Sequence, residues 1–316
     1  MANPRIKGIV WAVISMFFWA SSFPVGRTLI SRGMVDPVTL GMLRFGTGGL
    51  LMLAAGRLMR QTRLFTLSRT DAFRVAFLGL LGTALMGLFL FTAQKTVSSV
   101  NSSMIEALSP LLIFILSAVS SRHFSFLQAF GLLFGFGGCL MVLKVIGFDG
   151  AHLDSYQFGD FLILCSSLCW SLYTVWGKPV VLKIGAYAFT AWTMTAGAVW
   201  LLLFNLFCYE EIIFPASGQA WGLIAYFAVF PTAVAFFAWN EAQNYISLAL
   251  LSLSEYFTPL CTALLALAFL GEPVTAAQLT GAVIICGAVL IEPEILEMLP
   301  RRRKKNEEPA DYAEAA

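Results

Sequence analysis

Apolar residues run along this chain in long blocks separated by short polar joints. Blocks with little or no charge fall at about residues 8–27, 36–56, 73–94, 98–119, 126–146, 158–177, 186–208, 219–240, 246–269 and 274–291. A helix needs about 20 mainly apolar residues to cross a hydrocarbon core. Each block therefore predicts one membrane-spanning helix, ten in all. The joints leave little chain for a soluble domain.

The blocks repeat. FTAQKTVSSVNSSMIEALSP (residues 91–110) aligns without a gap on NEAQNYISLALLSLSEYFTP (residues 240–259), matching Ala93, Gln94, Ser103, Glu106 and Pro110 with Ala242, Gln243, Ser252, Glu255 and Pro259. GIVWAVISMFFW (residues 8–19) aligns on GDFLILCSSLCW (residues 159–170), so Trp19 meets Trp170. Similarity at a fixed offset marks an internal repeat. Five spans per unit is an odd number, so the second unit crosses the membrane upside down relative to the first. The predicted fold is an all-α integral membrane protein of ten transmembrane helices in two inverted five-helix repeats. Its parts are a cytoplasmic N-terminus (1–7), repeat one (8–146), an extracytoplasmic linker (147–157), repeat two (158–292) and a cytoplasmic tail (293–316).

Composition supports a membrane chain: 59% of residues are hydrophobic and 12% charged, against roughly 25% charged in soluble domains. The net charge of +2 says little, but its distribution says more. With the N-terminus inside, fifteen Lys and Arg residues fall in cytoplasmic segments, from Arg5 and Lys7 to the run at 301–305, and four fall outside. Basic residues favour the cytoplasmic side, so both termini are expected there. Arg5 and Lys7 before an apolar stretch resemble a signal peptide, but the first block has a twin in the sixth, which argues for its retention.

Within this frame Glu106 and Glu255 are conspicuous. Glu106 lies eight residues past Ser98 and Glu255 eight past Ser247, each about 12 Å deep at 1.5 Å per residue, in a core roughly 30 Å thick. Ionisable groups at such depth are costly and face a cavity or a partner. Each is followed four residues later by a proline, Pro110 or Pro259, which predicts a helix kink and a freed glutamate carbonyl. A proton, an ammonium group or a cation would suit that place. Two other readings stay open: a neutral carboxyl bonded to a neighbouring helix, or an ion pair with Arg44, the basic residue deep in a span.

Trp19 and Trp170 sit centrally in their spans, whereas anchoring tryptophans prefer the interface. With Ser22, Gln94, Asn101, Tyr173, Trp239, Asn240 and Gln243 they predict a mostly apolar cavity with a few hydrogen-bonding groups. Each polar residue taken singly also reads as helix glue. The glycines of GLLFGFGG (residues 131–138) follow no strand and lack a following Gly-Lys-Ser/Thr, so they are no phosphate loop, and Gly131-xxx-Gly135 predicts a close helix contact. No Walker motif points to ATP. The six cysteines fall in apolar blocks and read as small hydrophobes, both histidines fall in joints, and no metal or other cofactor is expected. Without a histidine or an aspartate pair inside the bundle, an intramembrane enzyme is not expected, and nothing points to nucleic acid. A receptor or scaffold would not need an inverted repeat, whereas secondary transporters recurrently use one.

The residues FFWASSFPVGR (17–27), GMLRFGTGGLLML (41–53), the two proline-bearing spans and LGEPVTAAQLTGAVIICGAVLIE (270–292) resemble the drug/metabolite transporter superfamily, specifically the bacterial EamA-domain exporters. The resemblance covers about residues 8–292. It implies a multi-pass protein of the bacterial inner membrane that exports amino acids, metabolites or drugs through a central cavity lined mainly by spans 1, 3, 4, 6, 8 and 9. The expected activity is thus secondary active export of an amino-acid-like or amphiphilic solute, with proton-coupled multidrug export as the alternative. The chain departs from the family pattern at Ser121-Arg122-His123, where repeat two has Gly271-Glu272. Glu106 and Glu255 are not part of that pattern.

Overall fold

The computed structural model describes residues 3–97, 102, 105–122, 124–147, 150–151, 158–208, 213–261, 264 and 275–298. Among them the regular structure is helical apart from a two-residue hairpin, Ile146–Gly147 (β1) against Gly150–Ala151 (β2). The helices are α1 (Pro4–Ala20), α2 (Ser22–Ser31), α3 (Pro37–Leu58), α4 (Arg69–Gly79), α5 (Met86–Ala93), α6 (Ser109–Ser121), α7 (Phe126–Val142), α8 (Phe158–Ile184), α9 (Ala186–Cys208), α10 (Gly218–Phe227), α11 (Ala235–Ala242), α12 (Leu248–Ser254), α13 (Ala276–Leu290) and α14 (Pro293–Leu296). Short polar residues start them. Asp36 accepts from the backbone of Val38 and Thr39 at 3.0 and 2.9 Å, and Thr275 with Gln278 forms a capping box.

Six helical segments are long and apolar enough to cross a membrane: Pro4–Ser31, Pro37–Leu58, Arg69–Ala93, Phe158–Ile184, Ala186–Phe207 and Gly218–Ala242. At the fourth, fifth, ninth and tenth expected spans lie shorter apolar helices, Ser109–Ser121, Phe126–Val142, Leu248–Cys261 and Ala276–Leu290. Six of the ten expected spans thus reach full length among the described residues. Side-chain contacts sort the ends of the bundle. At one end Arg5 meets Glu294 and Glu297 at 3.7 and 2.9 Å, Lys178 donates to the Ile246 carbonyl at 3.1 Å, and Lys183 meets Asp71 at 2.7 Å. At the other, Asp36 accepts from the backbone of Ile213 at 2.8 Å and Arg27 donates to the Val97 carbonyl at 3.2 Å.

Helix α3 packs on α9, α7 on α13, α1 on α11 and α5 on α8. Gly131 and Gly135 of α7 both face Ala288 of α13, where a Cβ would lie 3.6 Å from its carbonyl oxygen and 3.3 Å from its Cβ respectively, and Gly138 comes closer still, 2.8 Å from the Gly281 carbonyl oxygen.

Both helices that begin at Arg69 and Gly218 widen midway into a π-helical segment, Leu80–Leu85 and Ala228–Val234. The register that aligns Phe91 with Asn240 also aligns these segments, and with them Thr83 and Thr232. Their packing matches too. A Cβ on Gly48 of α3 would lie 3.0 Å from the Ala228 carbonyl oxygen, and one on Gly197 of α9 3.0 Å from that of Gly79. The widened turns therefore sit against paired glycines at equivalent places in both halves. Widened turns recur at functional sites.

Candidate functional site

The end of α1, the middle of α8 and helix α11 converge on four aromatic rings. Trp19 and Trp170 meet edge to face with centroids 5.1 Å apart. Trp239 lies 5.4 and 5.3 Å from them, and Phe236 5.5 Å from each. Such distances are ordinary ring contacts, so the rings pack on one another between α1 and α8. Tyr173 stacks on Trp170 at 5.4 Å.

Glu255 reaches this cluster, its Oε1 accepting from Trp170 Nε1 at 2.9 Å. The repeat-equivalent bond is not made. Trp19 Nε1 donates instead to the Pro231 carbonyl at 3.0 Å, inside the second π segment. Both carboxylates stand where the helix is interrupted: α6 begins at Ser109 with Pro110 in its first turn, and α12 ends at Ser254, helical again over residues 257–261. The expected kink is thus a break bridged by tight turns, with Leu108 N donating to Ile105 O at 3.0 Å and Thr258 N to Glu255 O at 2.9 Å. The Glu255 carbonyl is consequently occupied, contrary to the expectation that Pro259 frees it.

Arg44, on α3, is 4% exposed. Its Nε donates to Thr232 Oγ1 at 2.9 Å, and its Cζ lies 4.2, 4.5 and 5.4 Å from the ring centres of Phe227, Phe45 and Phe91. The ion pair considered for it is not formed: among the described residues no carboxylate oxygen lies within 4.0 Å of its nitrogens. Glu106 is within electrostatic reach of both Arg44 and Glu255. The three ionisable groups therefore share one region without touching as a salt bridge.

Several expected binding residues are occupied by the protein itself. Asn240 Nδ2 donates to Tyr173 OH and Thr190 Oγ1, both at 2.9 Å, and Gln243 Nε2 donates to Asn240 Oδ1 at 3.0 Å. This seam ties α8, α9 and α11 together, as helix glue does. Ser22 Oγ donates to the Trp19 carbonyl at 2.7 Å. Gln94 is buried with an unpartnered Oε1, as is the Trp239 Nε1. Asn101 lies outside the described residues. A pocket of about 320 Å³ opens on the other face of α11, beside Phe237 and Glu241. Among the described residues no three His, Cys, Asp or Glu side chains gather to hold a metal.

The sequence reading passed over Phe91, Phe227, Phe236, Thr232 and the Pro231 carbonyl. The match of Thr83-Ala84 with Thr232-Ala233, eight residues upstream of the aligned stretch, was the available signal for Thr232. Nothing in the sequence singles out those three among 28 phenylalanines.

The chain resembles known membrane proteins over almost its full length. The EamA-like transporter family model matches twice, at residues 6–144 and 157–291. The Bacillus subtilis transporters YyaM and YdfC are 27% and 28% identical, each over 92% of this chain and over 94% and 92% of their own lengths. A probable terminal-alkyne amino-acid exporter of Streptantibioticus cattleyicolor is 25% identical over 92% of this chain and 96% of its own. A solved crystal structure superposes with a TM-score of 0.73 at 20% identity, over 92% of this chain and 98% of that one, and so shares the fold. With both halves matched, a bundle of apolar helices and transporters for relatives, this chain is a membrane transporter that belongs to the EamA-like transporter family.

Proposed function

We propose that the protein is a secondary active transporter that exports small amino-acid-like or amphiphilic metabolites across the bacterial inner membrane by alternating access, with both termini in the cytoplasm. One observation carries the reading. Two repeat-equivalent tryptophan–glutamate pairs stand at the centre, and one is joined while the other is not. Two similar halves that exchange such a bond would open one central site first to one side and then to the other. The side-chain contacts at the two ends of the bundle and the basic residues at one of them agree with the orientation. The name of the amino-acid exporter among the relatives agrees with the solute class.

The test is counterflow in proteoliposomes. Vesicles preloaded with an unlabelled apolar amino acid should take up the labelled compound transiently against its gradient. Uptake unaffected by preloading would mean a channel-like pathway and would sink alternating access. A second reading, proton coupling, is favoured by Glu106 and Glu255 standing at the two helix breaks within electrostatic reach of each other. One of them would load a proton from one side and release it to the other.

A further inference from the structure

Arg44 is a buried charge that the fold does not explain. A guanidinium away from water is costly unless paired, yet among the described residues only its Nε has a hydrogen-bond partner, Thr232. Three phenylalanine faces soften the burial without neutralising the charge. The repeat-equivalent residue, in the register that aligns Gly48 with Gly197, is Thr193. Its hydroxyl is engaged by the Phe189 and Thr190 carbonyls at 2.8 and 3.2 Å. The same place in the second half thus holds a neutral, satisfied side chain, so helix packing alone does not call for an arginine.

A second unsatisfied group stands against the same rings. Gln94 is 5% exposed and its Oε1 accepts no hydrogen bond. A Cβ built on Gly26 would lie 3.2 Å from that oxygen, 3.3 Å from the Phe91 ring and 3.6 Å from the Phe227 ring. Donors without an acceptor and an acceptor without a donor therefore flank one aromatic surface. Glu106 lies within electrostatic reach of the guanidinium but beyond contact.

We infer that Arg44 anchors the carboxylate of a zwitterionic solute, an α-amino acid with an apolar side chain. The inference rests on the transporter reading and names its substrate class. Thr232 fixes Nε and leaves the two terminal nitrogens as a fork that matches a carboxylate. Gln94 Oε1 and the Glu106 carboxylate take the ammonium group, and Phe91 and Phe227, buried in this conformation, supply the apolar surroundings. Glu106 shares the reach of this guanidinium, so the place does not favour a dianion. A ligand carrying its own cation fits better.

The experiment uses the full-length protein in nanodiscs with labelled L-phenylalanine, L-leucine and L-methionine. Competitors are their methyl esters and the matching amines, which lack the carboxylate. At least one amino acid should bind, and its ester and amine should compete at least ~30-fold more weakly, the lower bound for losing one partner of a buried charge pair. Arg44→Gln should weaken binding of the acid similarly and leave the ester unchanged, whereas Arg44→Lys should fall between. Equal binding of acid and ester to the native protein would overturn the anchor even if no variant folds. So would a folded Arg44→Gln that binds the acid normally, or a panel in which no amino acid binds. Arg44-dependent binding without counterflow would uphold the anchor and reject the transporter mechanism. Counterflow of amines with no binding of acids would do the reverse.

Discussion

The two halves of this protein have matching parts and different bonds. Residues 80–85 and 228–234 widen at the same register, and Gly48 and Gly197 meet equivalent carbonyls. Yet Trp170 is joined to Glu255 while Trp19 turns to a backbone carbonyl. Gln278 Nε2 donates to the Val142 carbonyl, and its counterpart Gln128 donates to the Glu292 carboxylate. Position 44 holds a charge where position 193 holds a satisfied hydroxyl. Symmetry of backbone is therefore not symmetry of bonding. What differs marks where one half does something the other does not.

The most severe way to break the comparison is to neutralise each carboxylate in turn. One pH unit can drive roughly tenfold accumulation per proton. Glu255→Gln should abolish that accumulation in proteoliposomes while solute binding and exchange persist, and Glu106→Gln should abolish it and weaken binding as well. If both variants keep the full gradient-driven uptake and its pH dependence, the carboxylates serve structure alone.

Next come the paired glycines. Gly48→Ala and Gly197→Ala should each cost about 1–3 kcal/mol by overpacking, read as thermal stability in detergent. Gly197 also faces the Thr83 side chain directly, so Thr83→Ala should recover more of the Gly197→Ala loss than Thr232→Ala recovers for Gly48→Ala. Equal recovery would make the two contacts equivalent after all.

The tryptophans should separate by a smaller margin. Trp170→Phe removes a donor to a carboxylate, worth about 1.5–3 kcal/mol when that group is charged, and Trp19→Phe a donor to a neutral carbonyl, worth about 0.5–1.5 kcal/mol. The transport pH profile should move only in Trp170→Phe. A profile that moves equally in Trp19→Phe would mean that Trp19 also serves a carboxylate during the cycle.

The smallest effect concerns Gln128 and Gln278. Burial pushes the Glu292 carboxyl above its ordinary value, and the Gln128 hydrogen bond offsets part of that. A raised folded value means that the protonated form is favoured on folding. The contribution is complete below the ordinary carboxyl range and is lost as pH rises through the folded value. Glu292→Gln should therefore stabilise slightly relative to the native protein at pH 8 and not at pH 4. The Gln278–Val142 contact has no such titration. A stability difference independent of pH would remove Glu292 from this account.

Much of this was legible in the sequence because hydrophobic blocks, helix caps and a long repeat are local or additive signals. The convergence of Trp19 with Trp170, and of Glu106 with Glu255, follows from their matched places in two halves that pack together. The distribution of hydrogen bonds was not legible, since one sequence match is compatible with either tryptophan holding its glutamate. Pro231 advertises one widened turn, but Leu80–Leu85 contains no proline to advertise the other. The three rings around Arg44 could not be chosen in advance, because selecting them requires knowing the helix crossings.

The burial of Arg44 also bears on how the chain is made. Helix α3 must enter the bilayer carrying that guanidinium, which costs roughly 2.5–3.5 kcal/mol at a helix centre. Its hydrogen-bond partner Thr232 lies 188 residues further along, roughly 10–40 s of synthesis at 5–20 residues per second. Through that interval the flanking leucines and phenylalanine of α3 must hold the helix in place, or the insertion machinery must shelter it. Completion of the second half would then release the first from waiting, which makes Arg44 a checkpoint on assembly order.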